Sequence, residues 1–272
     1  MIAVGERING MFKVVKKAIA EKDPAPIEDL ARKQTEAGAA YLDINVGTAA
    51  SDQEDAMKWL VETVQKAVKT PIALDSQKLP VLEAGLSVVD GRPIMLNSVR
   101  GGVDSELDAF IDLAQKHNAS FVALTMDESG PATSAEARVE IACKVVEKAT
   151  AKGIELSRVF IDPVVLPAKY GQEQPGFVLQ AIRQTLDFVG GQESGLHFIV
   201  GLSNLSQMAK DKEIRQLINR TFLVMALAAG LDSAIMDVLD TQLMDAAITA
   251  EMLLNKQIYS DSYLKAARMM QR

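Results

Sequence analysis

The sequence predicts a single (β/α)8 barrel, or TIM barrel, in the α/β class. Short apolar runs recur along the 272 residues at a spacing of about thirty residues, which suits the strand-and-helix units of such a barrel. Each run is continuous rather than alternating, as expected for parallel strands that are buried on both faces. The runs end at small polar or acidic residues, where a strand would leave the core.

The predicted strands can be followed from the start of the chain. The first is predicted to end just before Glu6, and the polar stretch from Gly5 to Gly10 is predicted to be a loop. Seven more apolar runs follow, and each comes after a stretch with the pattern of a helix. The eight predicted strands cover residues 2–5, 40–45, 71–74, 93–96, 120–125, 159–161, 197–202 and 233–236.

Helices are predicted between these strands. The sequence SDQE at 51–54 has a capping side chain followed by carboxylates, which is typical of a helix N-terminus. Gly38, Gly153 and Gly230 are positioned to end helices. Residues 126–131 and 163–175 are predicted to be loops, and a polar tail follows residue 254. The predicted helices cover residues 12–21, 27–37, 51–69, 79–88, 104–117, 134–152, 176–188, 211–229 and 241–254.

A doubly wound nucleotide-binding sheet is disfavoured, because the sequence contains neither G-x-G-x-x-G nor a Walker A motif. No linker or shift in composition divides the chain. We therefore expect one domain over residues 1–272.

Composition and charge exclude several classes of function. The net charge of −7 argues against a nucleic-acid surface, and no apolar run is long enough to span a membrane. The start of the chain lacks the pattern of a signal peptide, and a single cysteine, Cys143, allows no internal disulfide. We expect a cytoplasmic protein in which Cys143, His117 and His197 have structural roles.

Acidic and amide side chains stand at the ends of the predicted strands. If the strands form one barrel, these side chains converge on one mouth, where barrel enzymes carry their active sites. The alternative is that each residue only caps the next helix. A ring rich in carboxylates and amides and poor in cations suits a neutral, hydrogen-bonding heterocycle such as a pterin, and a metal ion is the competing ligand. The ring consists of Glu6, Asp43, Asn45, Asp75, Asn97, Asp162, Asn204 and Asp237.

Several ordered motifs carry a resemblance to a known family. The chain resembles the pterin-binding, corrinoid-dependent tetrahydrofolate methyltransferases, in particular the group that consists of a single barrel. That group includes the methyltetrahydrofolate:corrinoid/iron–sulfur protein methyltransferases and the tetrahydrofolate methyltransferases of demethylase systems, such as the glycine betaine type. The motifs are GERING at 5–10, LDINVG at 42–47, LDS at 74–76, LNS at 96–98, FIDP at 160–163 and GLSNLSQ at 201–207.

The resemblance implies methyl transfer between the cobalt of a corrinoid and N5 of tetrahydrofolate. It implies that Asn204 and Asp162 are catalytic, that Asn204 lies near N5, and that no metal is bound by the chain itself. The formation of 5-methyltetrahydrofolate in an anaerobic demethylation pathway is the favoured direction. The implied folate-binding residues are Glu6, Asp75, Asn97, Asp162, Ser203, Asn204, Gln207, Arg215 and Ile235.

The resemblance also implies partners. The corrinoid motif Asp-x-His-x-x-Gly is absent, because Gly195 stands where Asp would precede His197, so we expect a separate corrinoid protein to supply the cobalamin. A homodimer is implied, and the apolar segment 223–229 is predicted either to form its interface or to pack in the core.

Other functions stay open at this stage. The methyltransferase of the acetyl-CoA pathway would use the same folate pocket in the opposite direction. Dihydropteroate synthase shares the pterin barrel but would need a cationic site for pyrophosphate. A non-catalytic pterin-binding protein would keep the pocket without turnover. A Schiff-base aldolase would need a lysine at a strand end, and Lys78 lies beyond Asp75.

Overall fold

The computed structural model describes residues 1–270 and confirms the predicted barrel. Eight parallel strands close on themselves, with each strand paired to the next along the chain and the last paired to the first. The strands are β1 (Ile2–Asn9), β2 (Tyr41–Asn45), β3 (Ile72–Asp75), β4 (Ile94–Arg100), β5 (Ser120–Leu124), β6 (Val159–Asp162), β7 (His197–Gly201) and β8 (Ser233–Met236).

Helices surround the barrel. Within residues 1–270, none of them combines the length and apolar character that a membrane span requires. The helices are α1 (Lys13–Glu21), α2 (Ala25–Glu36), α3 (Gln53–Ala67), α4 (Leu79–Leu86), α5 (Asp104–Lys116), α6 (Ala135–Ala151), α7 (Gln174–Val189), α8 (Lys212–Ala229), α9 (Thr241–Leu253) and α10 (Tyr263–Met270).

Two apolar clusters hold the strands in place. The larger one lies between the outer face of the barrel and the helices, and it contains outward-facing strand residues such as Leu42 and Leu74. The smaller one fills the barrel interior, which is therefore packed rather than hollow. The alternation of side chains along each strand divides the residues between the two clusters. The inner cluster consists of Val4, Ala73, Met95, Val122, Phe160 and Ile199, with Ile2, Tyr41 and Ile235 packed against it.

The first strand is longer than the sequence predicts. β1 continues through the expected polar loop to Asn9, so Glu6 lies within the strand rather than after it. Its register against β2 shifts between Gly5 and Ile8, which is the mark of a β-bulge. The backbone N–H of Arg7 donates instead to Oε1 of Gln34, a buried α2 side chain, at 2.9 Å. β1 can therefore continue through this polar stretch, because the Gln34 side chain replaces the carbonyl acceptor that a neighbouring strand would otherwise offer to the Arg7 N–H.

Other boundaries also differ from the predictions. α7 begins before the predicted start at residue 176, and α2 begins at Ala25, because proline is tolerated in the first turn of a helix. β4 runs on to Arg100, and a two-stranded hairpin (Met126–Asp127 with Gly130–Pro131) replaces a predicted loop. α10 lies in the predicted polar tail. The single domain over 1–272 stays a prediction, since residues 271 and 272 lie outside the described part.

The first two loops at the mouth pack tightly against each other. A Cβ atom at Gly10 would lie 1.9 Å from the carbonyl oxygen of Val46, so only glycine fits between the end of β1 and the loop after β2. The GERING and LDINVG motifs therefore meet in space at this point.

Candidate functional site

The alternation of side chains turns most of the predicted strand-end residues toward the inside of the barrel. Each follows an inward-facing residue by two positions, as Asp75 follows Ala73 and Asp162 follows Phe160. Because strand side chains have a period of two, these groups stack above the inner cluster at the carboxyl ends of the strands. The residues arranged in this way are Glu6, Asp43, Asn45, Asp75, Asn97, Asp162 and Asp237.

Four of these side chains form two hydrogen-bonded pairs on one side of the mouth. Asn97 donates through Nδ2 to Oδ1 of Asp43 at 3.0 Å, and both residues are buried. Asn45 donates through Nδ2 to Oδ2 of Asp75 and accepts the backbone N–H of Gly47 through Oδ1. Each acid is therefore joined to an amide, and the two amides are held in place on β2 and β4.

Burial changes the acidity of both carboxyl groups in these pairs. Burial and the neighbouring Asp75 charge raise the pKa of Asp43 well above its ordinary value, and the Asn97 hydrogen bond opposes the rise. Burial raises the pKa of Asp75 to about 6, against the effect of the Asn45 hydrogen bond. These acids can accept hydrogen bonds when ionised and donate one when protonated.

Glu6 and Asp237 lie next to these pairs, on β1 and directly after β8. Ser203 donates to Oε1 of Glu6 at 2.8 Å, and Nη1 of Arg7 lies 3.4 Å from Oδ2 of Asp237. Burial raises the pKa of Glu6 to about 7; the Ser203 hydrogen bond opposes this rise, the Asp237 charge adds to it, and Arg7 and Arg215 oppose it. The predicted ring itself contains no cation, but Arg7 and Arg215, which are not part of it, lie within electrostatic reach of Glu6.

Asp162 ends β6 as a buried acid. Its Oδ1 accepts the backbone N–H of Val164 at 2.7 Å. Burial raises its pKa to about 7, while the backbone N–H groups of Val164 and Gly201 and the charge of Arg138 oppose the rise. Asp162 is thus poised to change protonation state near neutral pH.

Asn204 and Gln207 lie on the exposed turn after β7, above the buried acids. The turn begins with a short 3-10 helix, Leu202–Asn204, and both side chains are exposed. A Cβ atom at Gly201 would lie 3.0 Å from Nδ2 of Asn204, so this glycine lets the amide fold back over the strand end. Arg215 is exposed in the first turn of α8, and Ile235 is half-buried against the inner cluster.

Comparison with known proteins identifies the family. The pattern of the pterin binding enzymes matches residues 13–237. The chain is 33% identical over 270 residues to the methylcorrinoid:tetrahydrofolate methyltransferase of Eubacterium limosum, across 98% of this chain and 96% of that protein. The chain belongs to the pterin-binding enzyme family. The predicted resemblance to its single-barrel, corrinoid-dependent members is confirmed.

Further relatives of this pterin-binding barrel are larger or more distant. The methionine synthase of Mycobacterium leprae is 34% identical over 245 residues, which are 86% of this chain and 20% of that protein. A dihydropteroate synthase from Coxiella burnetii in complex with pteroic acid superposes with a TM-score of 0.69 at 16% identity, over 94% of each chain. The synthase from Yersinia pestis gives 0.67 at 16% identity, over 93% of this chain and 94% of that one. At these identities the structural likeness shows the fold alone.

The pterin-binding barrel also contains site residues that the sequence analysis missed. Arg138 of α6 is fully buried, and its guanidinium donates to the carbonyl oxygen of Pro163 at 2.7 Å and to Oε1 of Gln174 at 2.9 Å. It therefore fixes both ends of the loop that follows Asp162. An arginine within a helix pattern gives no sign of such burial, and only the three-dimensional structure reveals it.

The competing prediction, that strand-end residues cap the next helices, is wrong for the helices whose side-chain caps are seen. Asn45, Asp162 and Asp237 accept the backbone N–H two residues further on, which is the hydrogen bond of an Asx turn rather than of a helix cap. The side chains that cap α3, α6, α8 and α9 belong to other residues, Asp52, Ser134, Asp211 and Asp240. Each of these strand-end side chains uses one oxygen in its turn, and its remaining polar groups can bind a ligand at the mouth.

The histidines and the cysteine lie in structural positions, as predicted. His197 begins β7, stacks on Phe160 and pairs through Nδ1 with Oδ2 of Asp232 at 2.6 Å, at the end of the barrel opposite the mouth. His117 ends α5, and Cys143 is a half-buried thiol on α6. Over residues 1–270, no group of three or more His, Cys, Asp and Glu side chains has a metal-binding arrangement.

Proposed function

We propose that the chain transfers a methyl group between the cobalt of a protein-bound corrinoid and N5 of tetrahydrofolate. One observation carries this proposal. A layer of buried carboxyl and amide groups lines the mouth of a barrel that is 33% identical, along nearly its whole length, to the Eubacterium limosum methyltransferase. The proposed physiological product is 5-methyltetrahydrofolate, formed during anaerobic demethylation. The acetyl-CoA pathway reaction is the alternative direction.

The buried acids suit the pterin ring of folate. A pterin presents an amino group and ring N–H donors beside ring acceptors, so it needs acceptors and exchangeable protons at fixed positions. Asp75, Asn97 and Asp162 would hydrogen-bond this ring, and Glu6 with Ser203 would face it from the other side. The raised pKa values, about 6 for Asp75 and about 7 for Asp162, allow either group to donate or accept at neutral pH.

The exposed turn after β7 would carry the reacting end of folate. Asn204 would lie near N5, with Gln207, Arg215 and Ile235 along the folate or corrinoid side. In this reaction N5 would attack the methyl group, the cobalt–carbon bond would break with its electron pair kept by the corrinoid as cob(I), and N5 would release its proton to water as the N5–methyl bond forms. An amide beside N5 can hydrogen-bond the transient protonated amine, and holding both substrates in line can supply several kcal/mol.

The corrinoid protein would dock on the rim around β1, β6 and β7. The loops after these strands carry exposed apolar side chains, among them Met11, Tyr170 and Met208. The exposed cations Lys169 and Lys210 stand beside them in a protein whose net charge is −7. Such a rim favours a partner with an acidic face and an apolar centre.

We further propose that the protein forms a homodimer and that it is located in the cytoplasm.

Two other functions are less well supported. Dihydropteroate synthase shares the fold at 16% identity, and its sequence relationship to this chain is far weaker than that of the methyltransferase. A non-catalytic pterin-binding protein would keep the buried layer but show no turnover. Measurements of tetrahydrofolate binding and of methyl transfer separate these functions.

The first test is an anaerobic assay with methylcobalamin and tetrahydrofolate, followed by the absorbance change to cob(I)alamin. The wild-type protein should turn over, and Asp75→Ala should abolish folate binding and activity because it removes a buried acceptor. Asp29→Ala is a matched control, since Asp29 makes only an exposed ion pair with Lys33 on α2. Absence of folate binding by the wild type would refute the proposal, and folate binding without turnover would favour carrier dependence or the non-catalytic alternative.

A further inference from the structure

Two inward-facing residues of β2 stand behind the proposed folate ligands. Asn45 shares a row with Asp75 and Asn97 across β2, β3 and β4, and Asp43 lies one row lower, beside Ala73. The short Ala73 side chain separates Asp43 from β4. That space allows Asn97 to reach Asp43 across β3.

The orientation of Asn45 is fixed by a backbone group. Its Oδ1 accepts the N–H of Gly47, which can only donate, so its Nδ2 must face the other way. There it donates to Oδ2 of Asp75. One carboxylate oxygen of Asp75 is thereby occupied, and its other oxygen is left for a ligand at the mouth.

The orientation of Asn97 depends on Asp43. One of the two N–H groups on Nδ2 of Asn97 is directed to Oδ1 of Asp43 at 3.0 Å. Asn97 is only 6% exposed and Asp43 only 2%, so water has little access to this bond. The Asn97 carbonyl oxygen and the second N–H group on Nδ2 are therefore held in fixed directions, and both can bind a ligand at the mouth.

We propose that Asp43 and Asn45 are positioning residues that set the hydrogen-bond pattern of the folate pocket. Asp43 holds the Asn97 amide in one orientation toward the pterin, and Asn45 holds Asp75 with one free oxygen. This inference rests on the proposed function, and it adds residues that act through others and do not touch the substrate.

Loss of the bond between Asn97 and Asp43 should weaken folate binding, because this bond fixes the Asn97 amide before the ligand arrives. An amide that is free to rotate presents its donor and acceptor ends to the ligand in turn, and binding must then select one orientation. A bond from a carboxyl oxygen removes that freedom before folate arrives. Loss of the bond leaves the Asn97 amide free to take either orientation, so folate binding should weaken about tenfold.

The test is a double-mutant cycle on tetrahydrofolate affinity, measured by anaerobic calorimetry. Asp43→Ala should weaken binding about tenfold in the wild-type background and by less than about twofold in an Asn97→Ala background, because the effect passes through Asn97. Asp43→Asn, whose amide oxygen can still accept from Asn97, should stay within about threefold of the wild type. Asn45→Ala should weaken binding about tenfold through Asp75.

Several results would overturn the inference. An equal loss from Asp43→Ala in both backgrounds would show that Asp43 acts on the fold and not through Asn97. A loss in Asp43→Asn as large as that expected for Asp43→Ala would remove the acceptor role, and this variant decides the matter if Asp43→Ala does not fold. Wild-type protein that binds tetrahydrofolate and turns over, combined with an additive cycle, would refute only this inference. Wild-type protein without folate binding would refute the proposed function, and the inference with it.

Discussion

Asn204 differs in its exposure from the acids that are proposed to face the pterin. Glu6, Asp75 and Asp162 are buried or half-buried, whereas Asn204 lies exposed on the turn after β7, folded back over Gly201. A group in this position can contact the reacting end of folate without carrying much of its binding. Its contribution should therefore appear in the chemical step.

We expect Asn204→Ala to lower the rate of methyl transfer by about a hundredfold, because removal of one preorganised hydrogen-bonding group at a reacting centre has effects of this order. Folate affinity should change by less than about threefold. Stopped-flow single-turnover rates and calorimetric Kd values separate the two effects. Asn97→Ala provides the contrast, since it should weaken binding. An unchanged single-turnover rate in Asn204→Ala would remove Asn204 from the vicinity of N5.

The buried acids also make stability depend on pH. The pKa of Glu6 is raised from 4.5 to about 7, and that of Asp162 from 3.8 to about 7. A raised carboxyl pKa means that the folded state binds more protons than the unfolded state across this window. The stabilisation is complete below the unfolded pKa and is lost as pH rises through about 7.

The thermal midpoint of the ligand-free protein should therefore fall between pH 5 and pH 8. Each buried acid contributes on the order of 1 kcal/mol per pH unit to this slope. Glu6→Gln should flatten the slope because its amide does not titrate. Glu62→Gln, at an exposed position of α3, is the control and should leave the slope unchanged. Calorimetric scans over this range measure the effect, and a slope in Glu6→Gln as steep as in the wild type would contradict the assigned shift.

At the level of elements, the sequence predicts what depends on periodicity and misses what depends on contacts between distant segments. The eight apolar runs identify the strands because burial on both faces leaves a local signature. The extension of β1 to Asn9 has no such signature, since it depends on Gln34 reaching from α2 to the Arg7 N–H. α10 escapes prediction for a related reason: it follows the exposed segment after α9, where no buried strand marks the boundary.

The same distinction applies to the candidate site. Strand-end positions identify Asp75, Asn97 and Asp162, because the barrel topology alone brings them together. The pairing of Asn97 with Asp43 and the burial of Arg138 depend on side-chain directions in three dimensions. Residues that position others are therefore hidden in a single sequence even where the residues they position are evident.

At the level of the whole molecule, one helix face has no partner within the described chain. The predicted apolar segment 223–229 divides between two environments: Leu223, Ala226 and Leu227 are buried, while Met225 is exposed. Six exposed residues of α8, five of them apolar, share one stripe about 100° wide at 100° per residue. The stripe contains Ile214, Leu217, Thr221, Val224, Met225 and Ala228.

This stripe is the face through which we expect the homodimer to form. Leu217 is 60% exposed and Met225 47% exposed, and a helix face repeated about a twofold axis gives a self-complementary contact. Leu217→Glu should convert the dimer to a monomer in sedimentation experiments at micromolar concentration, because it places two opposed charges of like sign in an apolar contact. Val14→Glu, at an exposed apolar position of α1, is the matched control and should stay dimeric.

The two outcomes separate the roles of this face. Dimer loss in Leu217→Glu with folate affinity retained would assign α8 to assembly, since the site residues all lie within one barrel. A Leu217→Glu protein that remains dimeric would exclude the α8 stripe as the interface. A wild-type protein that sediments as a monomer would refute the homodimer itself, and the exposed stripe would then face another partner.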